Sequence, residues 1–75
     1  MEVHIKRNEQ IVITTTELAI VQMLSYGLKT KMIAHKLLIS PRTVEAYMGK
    51  MYLKVKAESQ AHLVAIFIRE GLIDL

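Results

Sequence analysis

The sequence predicts an all-α domain of four helices with a short N-terminal arm. Three observations carry that prediction. From Thr14 onward apolar residues recur at helical spacing, Gly27 and Gly71 fall where those patterns stop, and Ser40-Pro41 has the composition of a helix start. With 75 residues, 52% of them hydrophobic, the chain has the size of one domain and a composition that argues against disorder. Its core is modest, so pairing with a second copy would add stability as well as function.

The arm, residues 1–13, stands apart from the helical domain, residues 14–75. Val3, Ile5, Ile11 and Ile13 show a partial period of two around a polar centre, Lys6 to Gln10, which fits a short strand pair or an extended arm. Thr14 with Glu17 three residues on fits a capping box, opening a helix over 15–25 that turns Ile20, Val21 and Leu24 inward and stops at Gly27. A second short helix is expected over 30–37, with Thr30 as candidate N-cap and Ile33, Ala34 and Leu37 buried. Ser40 then caps a third, in which Pro41 occupies the first helical position, where its missing N–H costs nothing. That helix runs to about Lys54, with Val44, Tyr47, Met51 and Val55 inward. Ser59 opens the fourth and Gly71 closes it.

The fourth helix is apolar on more than one side. Leu63, Val64 and Phe67 are assigned to the core, which leaves Ala65, Ile66 and Ile68 pointing elsewhere. A second copy of the chain would cover them as a dimer interface; the arm folding back is the other way to do so.

Charge is unevenly spread. Lys29, Lys31, Lys36, Arg42, Lys50, Lys54 and Lys56 share their stretch with a single acid, Glu45, for a net of +6, whereas the rest of the chain carries −3. A basic middle is what a phosphate backbone requires, although a solvated helical face would look the same. Catalysis has no visible apparatus: Glu17, Glu45, Glu58, Glu70 and Asp74 form no pair spaced for acid–base work. His4, His35 and His62 have no ligand spacing, and the methionines fall mostly at helix positions that core filling explains, so neither metal nor cofactor is expected. The apolar runs are too short to span a bilayer, no secretory leader is evident, and the lack of cysteine is compatible with a reducing cytoplasm without requiring it.

Between the second and third helices lies Leu37-Leu38-Ile39-Ser40-Pro41, a turn so brief that the two must cross steeply. This is the geometry of a helix-turn-helix, whose second helix can enter a major groove while the first braces against the backbone. Here the chain resembles the LuxR-type (GerE-like) helix-turn-helix family, without a gap from Ile13 to Ile73. The resemblance rests on Ile13-Thr14 with Glu17, Gly27, Lys31, Ile33-Ala34, Leu37, Ile39-Ser40, Thr43-Val44, Lys54-Val55, Ser59, Val64 and Gly71-Leu72-Ile73.

The resemblance implies a bacterial transcription regulator in the cytoplasm, associated with the nucleoid when bound. It implies double-stranded DNA as ligand and a homodimer formed through the fourth helix, with another regulator or RNA polymerase as further candidate partners. Thr30, Lys31, Ser40, Arg42 and Thr43 would then face phosphates at two helix starts, where free amides and the helix dipole favour an anion. Lys50 and Lys54 would reach the flanking strand, and Glu45, Ala46 and Gly49 would face base edges. A glutamate can accept from cytosine and alanine can touch a thymine methyl. Gly49 fits close approach to DNA, drift, or tight packing against a neighbour.

The chain departs from the family's usual arginine at Thr16, glutamate at Met32, histidine at Tyr47 and arginine at Gln60. A sigma-factor helix-turn-helix is one rival reading, which the Gly71-Leu72-Ile73 ending disfavours. The alternative from a different class is a helix-turn-helix protein acting through protein contact alone, as an anti-regulator or heterodimer partner. Family members usually carry a sensing domain ahead of this one, so the chain is either a stand-alone regulator or one domain of a larger protein.

Overall fold

A computed structural model describes residues 2–5 and 8–74, without the side chains of Asn8 and Glu9. Met1, Lys6, Arg7 and Leu75, which belong to the two spans expected above, lie outside the described residues. The order is β1 (Glu2–Ile5), β2 (Asn8–Thr14), α1 (Thr15–Ser25), α2 (Thr30–Leu37), α3 (Pro41–Val55) and α4 (Gln60–Arg69).

The arm is a β-hairpin. Its strands pair antiparallel, Val3 opposite Ile13 and His4 opposite Val12, with an irregularity between His4 and Ile5. The period of two has its usual consequence: Ile5 and Ile13 are fully buried while Glu2, His4 and Gln10 are exposed. β2 packs on α1.

Three of the four helices begin at a side-chain cap. The Thr14 hydroxyl accepts from the Glu17 N–H at 3.2 Å, and the Glu17 carboxylate accepts from the Thr14 N–H at 2.9 Å, completing the capping box. The Ser40 hydroxyl accepts from the Thr43 N–H at 3.1 Å, with Pro41 at the first position of α3. Ser59 does the same for His62 at the start of α4. α2 differs from expectation. Its cap position is Lys29 rather than Thr30, because Lys29 keeps the extended backbone, and no side chain bonds the first-turn amides.

All four helices end alike. A residue with positive φ (Gly27, Leu38, Lys56 or Gly71) lets the next N–H reach back to a carbonyl five residues earlier. These bonds are Leu28 to Met23, Ile39 to Ala34, Ala57 to Tyr52 and Leu72 to Phe67, at 2.9–3.1 Å. Only two of the four positions are glycine, so two ends were invisible to a reading keyed on glycine.

The core gathers Ile20, Val21 and Leu24 of α1, Ile33 and Ala34 of α2, Val44, Met48, Met51 and Val55 of α3, and Leu63, Ile66 and Phe67 of α4, closed by Ile5, Ile13 and Ile73. Three sequence expectations differ from the structure. On α2, Ile33 and Ala34 are buried but Leu37, in the last turn, is half-buried and packs on the edge of the core. On α3, Met48 takes the fully inward place and Tyr47 is half-buried, since Met48 is four residues from Val44 and three from Met51. On α4 the inward set is Leu63, Ile66 and Phe67, spaced three and four apart, and Val64 lies on the flank. α1 and α3 are the neighbours against which α4 buries that face.

Candidate nucleic-acid interface

The ridge of α3 opposite its buried face is formed by Arg42, Ala46, Gly49 and Leu53, at steps of four, three and four residues. All four are exposed, as are Glu45 and Lys50 beside them. The ridge is continuous from the proline-started end of the helix to its last turn. Two hydroxyls sit at that start: Ser40 and Thr43 bond each other at 2.9 Å while Ser40 also accepts the Thr43 N–H. One hydroxyl proton satisfies the pair, which leaves the other for an anion. Arg42 stands between them in sequence and is exposed.

α2 presents a second cationic start. Lys29 and Lys31 are exposed, Thr30 is half-buried, and the amides of this first turn have no side-chain cap. A helix end in that condition favours a phosphate on both hydrogen-bonding and dipole grounds. α2 and α3 pack directly on one another across the short turn, so the two starts belong to one rigid unit.

Gly49 has a simpler environment than one of its three readings required. A Cβ built there meets nothing within 4 Å. Tight packing against a neighbour is therefore not its reason, and the space beside it opens outward.

Lys54 does not belong to this surface. Its ammonium donates to both carboxylate oxygens of Glu17, at 2.8 and 2.9 Å, and to the Val12 carbonyl at 2.9 Å. Three donors meet three acceptors, and Glu17 is only 2% exposed. Lys54 lies to one side of the outward ridge, nearer α1 and the hairpin, and so joins these elements to α3 instead of reaching a flanking strand. The sequence reading gave Glu17 its cap but missed its ion pair, because the partners are 37 residues apart.

Ile66 must also be withdrawn as an interface residue. At 3% exposure it is core. Ala65 and Ile68 are half-buried and lie with exposed Ala61 on the outer side of α4. Leu53, 83% exposed, was overlooked; its position seven residues beyond Ala46 was the available signal.

The family model described as "Bacterial regulatory proteins, luxR family" matches residues 12–67, from the second strand through most of α4. The chain belongs to the luxR family. Among similar proteins, the uncharacterized transcriptional regulatory protein YxjL of Bacillus subtilis is 33% identical over 81% of this chain and 28% of its own length. The transcriptional regulatory protein FixJ of Bradyrhizobium diazoefficiens is 36% identical over 77% of this chain and 28% of its own. The transcriptional activator protein ExaE of Pseudomonas putida is 36% identical over 84% and 29%. The luxR-family segment represented here thus spans less than a third of each of these three relatives. No solved structure matches the chain. Among the described residues no helix is long and apolar enough to cross a membrane.

Proposed function

We propose that this luxR-family domain binds double-stranded DNA sequence-specifically as part of a bacterial transcription regulator, with α3 in the major groove. The observation that carries the reading is the continuous exposed ridge of α3, which starts at a capped, arginine-bearing end and has α2's uncapped, lysine-flanked start on the same rigid pair. Thr30, Lys31, Ser40, Arg42, Thr43 and Lys50 would hold phosphates and set the register, while Glu45, Ala46 and Gly49 would face base edges. Two protomers would pair through Ala65 and Ile68 on the outer side of α4. The setting is the bacterial cytoplasm and nucleoid, with RNA polymerase or another regulator as a further partner.

The test is selection of the purified protein on random duplex DNA at near-physiological salt, followed by sequencing. A two-fold symmetric site with half-sites about one helical turn apart is the expected result. Finding no enriched sequence overturns the reading.

One observation favours action through protein contact instead. A mostly apolar groove of about 590 Å³ is lined by Gly27, Leu28, Lys29, Lys31, Met32 and His35, and Met32 is half exposed. Methionine-lined surfaces adapt to protein partners. Lack of salt-dependent DNA binding would favour that alternative.

A further inference from the structure

The ridge of α3 has an unusual chemical character for a surface that reads bases. After Arg42 it runs through Ala46, Gly49 and Leu53 without a single side-chain hydrogen-bonding group. Leu53 is 83% exposed, and the fold does not use it. Gly49 is not used by the fold either: its Cβ space is open, its backbone is helical, and glycine in a helix interior is disfavoured relative to alanine. Beside Ala46 lies a shallow concavity of about 210 Å³ lined by Thr43, Ala46, Tyr47 and Lys50. Beyond Arg42 the line of the ridge is therefore apolar and close-approaching, with Glu45 on one flank and the Thr43, Tyr47 and Lys50 side of the concavity on the other.

Base edges differ in how they meet such a surface. Cytosine, guanine and adenine present amino groups or ring acceptors in the major groove, and pressing these against leucine or alanine removes their water without a replacement bond. Thymine carries, beside its O4 acceptor, a C5-methyl group that projects into the groove, and burial of that methyl against an apolar side chain is favourable. Ala46 and Leu53 are seven residues apart, roughly 10 Å along the helix axis, a length over which a helix inclined in the major groove covers about two to three base-pair steps.

We propose that α3 selects its site by thymine methyl groups, with Ala46 and Leu53 each covering one and Gly49 letting the helix lie close to the groove floor between them. The proposal rests on the DNA docking of the preceding section and makes Leu53 a specificity-determining residue.

The experiment compares the duplex enriched by random selection with the same duplex carrying deoxyuridine for thymidine, one position at a time. This removes the methyl group and leaves base pairing intact. Two positions about two to three base pairs apart in each half-site should each weaken binding about fourfold, the worth of one buried methyl. Leu53→Ala, at an exposed site where the fold loses nothing, should bind the thymidine duplex more weakly and become indifferent to deoxyuridine at one of the two positions. If deoxyuridine duplexes bind as tightly as the parent, and the parent is still preferred over a scrambled sequence, methyl readout is wrong and the docking stands. If no sequence is enriched at all, docking and readout fall together.

Discussion

At the scale of single residues, the most consequential contact is between Lys54 and Glu17. A carboxylate 2% exposed tolerates its charge because a cation meets both of its oxygens. Lys54→Met should cost about 3 kcal/mol, the low end for removing one partner of a buried pair, because Lys54 itself remains a third exposed. Adding Glu17→Gln removes the stranded charge and keeps an oxygen for the Thr14 amide. The double variant should regain about 1–2 kcal/mol of that loss. Chemical denaturation of the two single variants and the double measures this coupling directly, and strict additivity would mean that the pair contributes nothing of its own. Leu38 makes the opposite case. It is 90% exposed and held at φ 59°, so its side chain adds strain and no packing. Leu38→Gly should therefore stabilise by about 1 kcal/mol, the usual left-handed penalty, visible as a rise in melting temperature; a fall would show that the leucine packs in a way the structure does not reveal. His62 is a quieter device. Its ring Nδ1 accepts from the Glu58 N–H at 3.0 Å while its backbone N–H donates to the Ser59 hydroxyl, so the histidine closes the start of α4 much as Glu17 closes α1, but onto the residue before the cap instead of the cap itself.

At the scale of elements, helix starts were legible in the sequence and the facing of helices was less so. Thr14 with Glu17, Ser40-Pro41 and Ser59 each combine a capping oxygen with the right spacing, and each start is where it was expected. Capping is local chemistry within three residues, so a sequence can display it. Orientation is set by neighbours distant in the chain. On α4 nearly every residue is apolar, and hydrophobicity alone could not choose between Val64 and Ile66; packing against α1 and α3 chose Ile66. The same blindness hid Lys54 in the DNA-facing set, since a lysine announces charge but not its partner. Ile66→Glu should unfold the domain, because it buries a carboxylate at a site 3% exposed. Ile68→Glu, on the outer side but half-buried against the edge of the core, should keep the helical circular dichroism spectrum at some cost in stability and, where α4 pairs two copies, shift the sedimenting species from dimer to monomer. A folded Ile66→Glu protein would contradict the core described above.

At the scale of the whole molecule, what matters is how the charge of the basic middle is distributed. Seven cations lie between Lys29 and Lys56 in sequence, but Lys54 is turned inward onto Glu17, so the surface offered to DNA is less basic than the count implies. Counterion release makes the difference measurable. If Lys31, Arg42 and Lys50 each meet a phosphate, the log–log dependence of affinity on salt should have a slope of about −2.7 per protomer, and about −5.4 for a dimer on a two-fold site. Lys31→Gln or Arg42→Gln should reduce the slope by about 1 per protomer and weaken all sequences alike. Changing Ala46 should alter preference among sites and leave the slope in place, because it neutralises no phosphate. Glu17→Gln with Lys54→Met should also leave the slope in place, since that lysine is bound within the fold. A slope that falls in the double variant would return Lys54 to the interface. One that ignores Lys31 and Arg42 would mean that DNA, if bound at all, meets a different face of the domain.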